Sequence, residues 1–67
     1  MKGFVKWFNA KKGYGFITGE DKKDYFVHYS EIEAADGEYR ALKDGQAVEF
    51  VTKQTEKGTA AASIKKI

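Results

Sequence analysis

Lys12-Gly13-Tyr14-Gly15-Phe16-Ile17, followed shortly by Asp24-Tyr25-Phe26-Val27-His28-Tyr29, is the stretch that decides the fold. Each segment reads as a β-strand. Residues two apart share a strand face, so Tyr14 and Phe16 point one way while Gly15 and Ile17 point the other. By the same rule Phe26 and His28 share one face, and Tyr25, Val27 and Tyr29 the opposite one. Burying the ring face would seal an imidazole that needs a partner and leave Ile17 and Val27 in water beside a glycine that fills nothing. The economical assignment puts the aliphatics inside and Tyr14, Phe16, Phe26 and His28 outside. Rings presented in this way form a surface on which bases can stack.

Outward from this pair the same pattern continues. Strands are expected near 2–9, 13–19, 24–29, 46–53 and 59–66, and no stretch carries the three-and-four apolar spacing of a helix. Five strands in 67 residues predict an all-β fold, a five-stranded antiparallel barrel, because an open sheet of this size would leave long unpaired edges and half a core. In the first strand, an inward Val5 with strict alternation turns Trp7 inward and Phe8 outward, unless a bulge near Trp7 resets the faces. Between Ser30 and Gly45 the alternation stops. Ser30 to Ala34 reads as a helical turn with Ser30 as N-cap and Glu33 at the capping-box position, and Ile32 and Leu42 are expected to plug one end of the core. Tyr39 and Arg40 fall in this polar link, where Tyr39 either extends the ring surface or packs on the barrel wall.

Composition limits the chemistry. The length allows one domain, residues 1–67, with a small core. There is no cysteine and a single histidine, so disulfides and thiolate or multi-histidine metal sites are ruled out and no cofactor is expected. No apolar run reaches the length of a signal peptide or a membrane span, and the cytoplasm is the expected compartment. The formal net charge is only +2, but it is unevenly placed. Residues 1–16 carry Lys2, Lys6, Lys11 and Lys12 and no acid; residues 17–36 carry six acids against two lysines. The basic segment is the one with Trp7, Phe8, Tyr14 and Phe16, the interleaving expected of a surface that stacks bases and tracks phosphates. Gly13, Gly15 and Gly19 make no dinucleotide fingerprint, since Thr18 stands between and no helix follows. Asp24, His28 and Ser30 supply the letters of a hydrolytic triad, yet no strained elbow or oxyanion hole accompanies them, and no enzymatic activity is expected.

Lys6-Trp7-Phe8-Asn9, the Lys12–Ile17 run and Asp24-Tyr25-Phe26-Val27-His28-Tyr29-Ser30 together resemble the bacterial cold shock protein family over nearly the whole chain, and Leu42–Val48 resembles that family's entry to its fourth strand. An RNA-recognition-motif domain is excluded by the order of its two aromatic segments and by its need for helices. The resemblance implies a cold-shock-like OB-fold barrel that binds single-stranded RNA or DNA through its second and third strands. Stacking makes little sequence demand and keeps bound bases from pairing, so the expected function is that of an RNA chaperone. It implies stacking by Trp7, Tyr14, Phe16, Phe26, His28 and Tyr29, with Phe8 flanking them. Lys6 and Lys12 would meet phosphates or base edges, Asn9 and Asp24 would hydrogen-bond bases, Tyr39 would match a loop aromatic, and Lys57 would keep a basic tip. The expected partner is single-stranded nucleic acid, with a monomeric chain, no membrane and no metal. A barrel that holds extended or proline-rich peptides on exposed rings is the alternative. The sequence departs from the family at Tyr25, where a small aliphatic is usual, in a longer 32–42 link, and at Gly58–Ser63.

Overall fold

The computed structural model of the chain describes residues 1–33, 41–56 and 58–67. Five strands, β1 (Lys2–Asn9), β2 (Tyr14–Gly19), β3 (Asp24–His28), β4 (Ala47–Thr55) and β5 (Gly58–Lys66), close into a barrel in the order β1-β2-β3-β5-β4. Four joints are antiparallel and the fifth, β3 with β5 at Phe26 and Ala60, is parallel. Parity requires this, because strand direction cannot alternate all the way round a ring of five. The all-β barrel holds, then, with one joint differing from a fully antiparallel arrangement.

In β2 and β3 the faces follow the alternation, while the β4–β5 ladder slips between Glu49 and Val51 and buries Ala61 and Ala62 side by side. Ile17, Val27, Val48 and Ile64 are completely buried, Val5 and Phe50 nearly so, and Ile32 and Leu42 join the same cluster from outside the strands. Tyr25, the bulky departure, is accommodated by a polar exit. Its ring packs against Phe50 with centroids 5.5 Å apart, while its hydroxyl donates to the Asp21 carboxylate. This bond holds the Asp21 carboxyl below its ordinary range and pushes the Tyr25 phenol above its own.

Alternation fails at one point in β1, and the failure matters for the site. The ladder pairs Val5 with Ile17 but Trp7 with Phe16, so Lys6 is an extra residue in a β-bulge. Lys6 and Trp7 both face solvent, and Phe8 turns to the core side, partly buried against the cluster. Gly15 makes this possible. Phe8 lies directly opposite, and a Cβ on Gly15 would sit 2.3 Å from the Trp7 carbonyl oxygen and 2.7 Å from the Phe8 Cα.

The expected helical turn also forms differently. It is a 3-10 turn over Tyr29–Glu31, capped by His28 rather than Ser30: the His28 ring accepts from the Ser30 backbone N–H. The cap moved because β3 ends at His28 and the chain must turn there to bring Ile32 beside Ile64.

Candidate nucleic-acid interface

Strand register sets the outer face of β1, β2 and β3 in cross-strand rows. Asn9, Tyr14 and His28 make one row, and Trp7, Phe16 and Phe26 the next. The rings touch across and between the rows. Trp7 lies 5.5 Å from Phe16 and 6.0 Å from Tyr14, and Phe26 lies 5.8 Å from Phe16 and 5.9 Å from Tyr14, the last pair stacked at 27°. These are ordinary aromatic pair geometries. What is unusual is their place: Trp7 is 37 % and Phe26 39 % exposed, so the cluster supports itself edge to face while leaving ring surface open to solvent.

Tyr29 reaches this face by leaving the sheet. Its ring stands 4.6 Å from that of His28 and lies over Gly13 in the β1–β2 turn, where a Cβ would meet the Tyr29 ring at 2.8 Å. Gly13 also has φ +81°, a left-handed conformation that glycine adopts without penalty. The Asn9 side chain accepts from the Lys12 N–H at 3.0 Å, and the Asn9 carbonyl accepts from the Gly13 N–H at 2.7 Å, so Asn9 shapes the turn on which Lys12 is carried.

Lys6 and Asp24 meet. The Lys6 ammonium lies 2.8 Å from one Asp24 oxygen, and the Thr18 hydroxyl donates to the other at 3.0 Å. These two bonds, the lysine's first, hold the Asp24 carboxyl below its ordinary range. Both partners remain about half exposed, so the ion pair is exchangeable with a ligand. Asp24 is thus engaged by Lys6 and Thr18, while the His28 Nδ1 lies 2.8 Å from the Ser30 hydroxyl. Thr18 escaped the sequence reading, although its place two residues after Phe16 already put it on the ring face.

The structure therefore gathers Lys6, Trp7, Tyr14, Phe16, Asp24, Phe26, His28 and Tyr29 on one side, with Asn9 and Lys12 at its edge. Phe8 is not with them, because the bulge sends it to the core side. Tyr39 and Lys57 lie outside the described residues. A cleft beside Phe16 and Phe26 runs to the β4–β5 tip at Thr55 and Gly58, brought close by the joint of β3 with β5. Among the described residues no group of His, Cys, Asp or Glu is clustered to hold a metal, and no helix is long and apolar enough to cross a membrane.

A closed five-stranded barrel of this strand order is an OB-fold. The family is specific: the model described as the "'Cold-shock' DNA-binding domain" matches residues 1–67, and the chain belongs to the cold-shock domain family, a nucleic-acid-binding and non-enzymatic family. It is 51 % identical over 65 residues to the cold shock-like protein of Thermotoga maritima, covering 97 % of this chain and 96 % of that one. It is 51 % identical to cold shock-like protein CspG of Escherichia coli K12 (96 % and 90 % covered), and 50 % identical to cold shock protein CspA of Staphylococcus aureus USA300 (98 % and 97 % covered).

Proposed function

We propose that the chain binds short single-stranded RNA or DNA by stacking bases on Trp7, Tyr14, Phe16, Phe26 and His28, with Tyr29 closing the end of the row. The observation that carries this reading is the contiguous set of outward rings across three strands, spaced 5.5 to 6.0 Å apart. Lys12 meets phosphate directly and Lys6 does so by exchanging Asp24 for it. Asn9 and Asp24 offer hydrogen-bonding groups to base edges. Every base has a π-face, so binding makes little sequence demand and tolerates pyrimidines.

Bases held on the sheet cannot pair. Protein at about 100 times its Kd stabilises the open strand by about 2.7 kcal/mol per site, enough to open a marginal hairpin without ATP. The function is accordingly that of an RNA chaperone, exercised by residues 1–67 as one monomeric unit, in the cytoplasm, with no catalytic step.

Titration of Trp7 fluorescence with a pyrimidine hexamer at two salt concentrations tests this. Emission quenches on binding, and log affinity falls with log salt at a slope of about −2, from ~0.7 for each of about three neutralised phosphates. Unchanged emission with the hexamer, together with a response to proline-rich peptide, would overturn the reading in favour of a peptide-binding barrel.

A further inference from the structure

A further aromatic side chain, Phe4, stands on this face. The registers that set the two rows of rings also define a third, Phe4–Thr18–Asp24, on the same outer face. Phe4 is 62 % exposed, more than Trp7 or Phe26. Its cross-strand neighbours are Thr18 on β2 and Ala47 on β4, both too small to cover a phenyl ring. Beside Phe4 this row is polar: the Lys6 ammonium and the Thr18 hydroxyl both meet the Asp24 carboxylate, forming a polar bar. The bulge creates the bar, since it frees Lys6 from the ladder and lets it reach across to β3.

We propose that Phe4 is a further stacking position of the nucleic-acid face, one nucleotide beyond Phe16, with the Lys6 ammonium meeting the phosphate between the two bases. The inference rests on the single-strand-binding reading above and extends it. Successive rows lie about 7 Å apart along the strands, about twice the 3.4 Å rise of stacked bases. Each row therefore takes its own splayed base, and the backbone linking two bases passes the Lys6 ammonium. A single surface phenylalanine is commonplace. This one stands one row beyond Trp7, Phe16 and Phe26 on the same outer face, and Lys6, which reaches Asp24 in that row, falls between it and Trp7 along β1. Ala47 and Ile67 continue the apolar row on the far side, the Ile67 N–H donating to the Ala47 carbonyl. A second copy of the chain is thus the competing occupant.

The test compares wild type with Phe4→Ala, Phe4→Leu and Phe4→Trp against oligothymidines of roughly 4 to 10 nucleotides, within the ~4 to 16 that OB-fold sites span. Thermal unfolding of each variant is followed alongside. The shortest oligomers bind all four chains alike. Lengthening the oligomer raises affinity for wild type and Phe4→Trp, and that gain falls by about 5- to 150-fold in Phe4→Ala and Phe4→Leu. Equal length dependence in all four chains would overturn the proposal. So would a Phe4→Leu variant that keeps the full gain, because leucine offers apolar area without a π-face, or sedimentation showing a wild-type dimer that Phe4→Ala dissociates. If wild type bound no oligomer of any length, the underlying function would fall first, a result distinct from these.

Discussion

Replacing Phe26 by alanine separates the two things a half-exposed ring can do. Phe26 is 39 % exposed, so about three-fifths of it is covered, chiefly by Tyr14 and Phe16. A buried phenylalanine removes ~150–250 Å² from water, of which the covered share here is ~90–150 Å². At ~25 cal/mol per Å² its loss costs at most ~2–4 kcal/mol of stability. A domain of this length has about 3–10 kcal/mol in total, so the variant is measurably weaker as a fold and must be studied cool, with its folded fraction known from an unfolding curve. The binding loss is separate. Removing one stacking ring costs ~1–3 kcal/mol, or about 5- to 150-fold in Kd. The assay is a titration with a pyrimidine hexamer, followed by Trp7 emission and corrected for the folded fraction. Weakened affinity per folded molecule is expected. A variant that loses stability and yet binds with wild-type affinity per folded molecule would show that Phe26 is a packing residue only, and would refute the orientation argued for the sheet.

Lys6→Ala should lower the salt slope by about 0.7, the share of one phosphate on a single strand, which titration at several salt concentrations measures. Gly15→Ala should cost about 1–3 kcal/mol through overpacking, toward the upper end because the obstacle is the β1 backbone, and denaturant unfolding reads it. Stability should fall as pH drops through the lowered folded values of Asp21 and Asp24, below the ordinary 3.8. It should fall again as pH rises above 10, through the raised folded value of Tyr25. The signs follow because a depressed carboxyl favours the fold only while ionised, and a raised phenol only while protonated. Tyr25→Phe should remove the Tyr25 part of the alkaline limb and reduce the acid limb to the share of Asp24, as pH-dependent unfolding curves would show.

Much of this was legible because alternation in β2 and β3 is strict: Ile17 and Val27 could only be inside if Phe16 and Phe26 were outside. The strand bounds read from the sequence lie within two residues of those observed. What escaped it is tertiary. The bulge at Lys6 leaves no local mark beyond the conflict between Val5 and Trp7, yet a one-residue slip exchanges the faces of Trp7 and Phe8. The Lys6–Asp24 pair joins residues 18 apart that only the β1–β2–β3 register brings together. His28 took the capping role from Ser30 because the cap depends on where β3 stops, which the residues alone do not fix. Phe4 carried a usable signal. It alternates with Gly3 and Val5, both buried, and so was outward and aromatic from the start.

The most direct test of the central claim is an NMR spectrum of the complex with a thymine hexamer, recorded for contacts between base protons and labelled aromatic side chains. Stacking on the sheet should shift thymine methyl and H6 protons upfield through ring currents, with cross-peaks to Trp7, Phe16 and Phe26. Saturated binding that moved the lysine resonances while leaving those rings unshifted would contradict it.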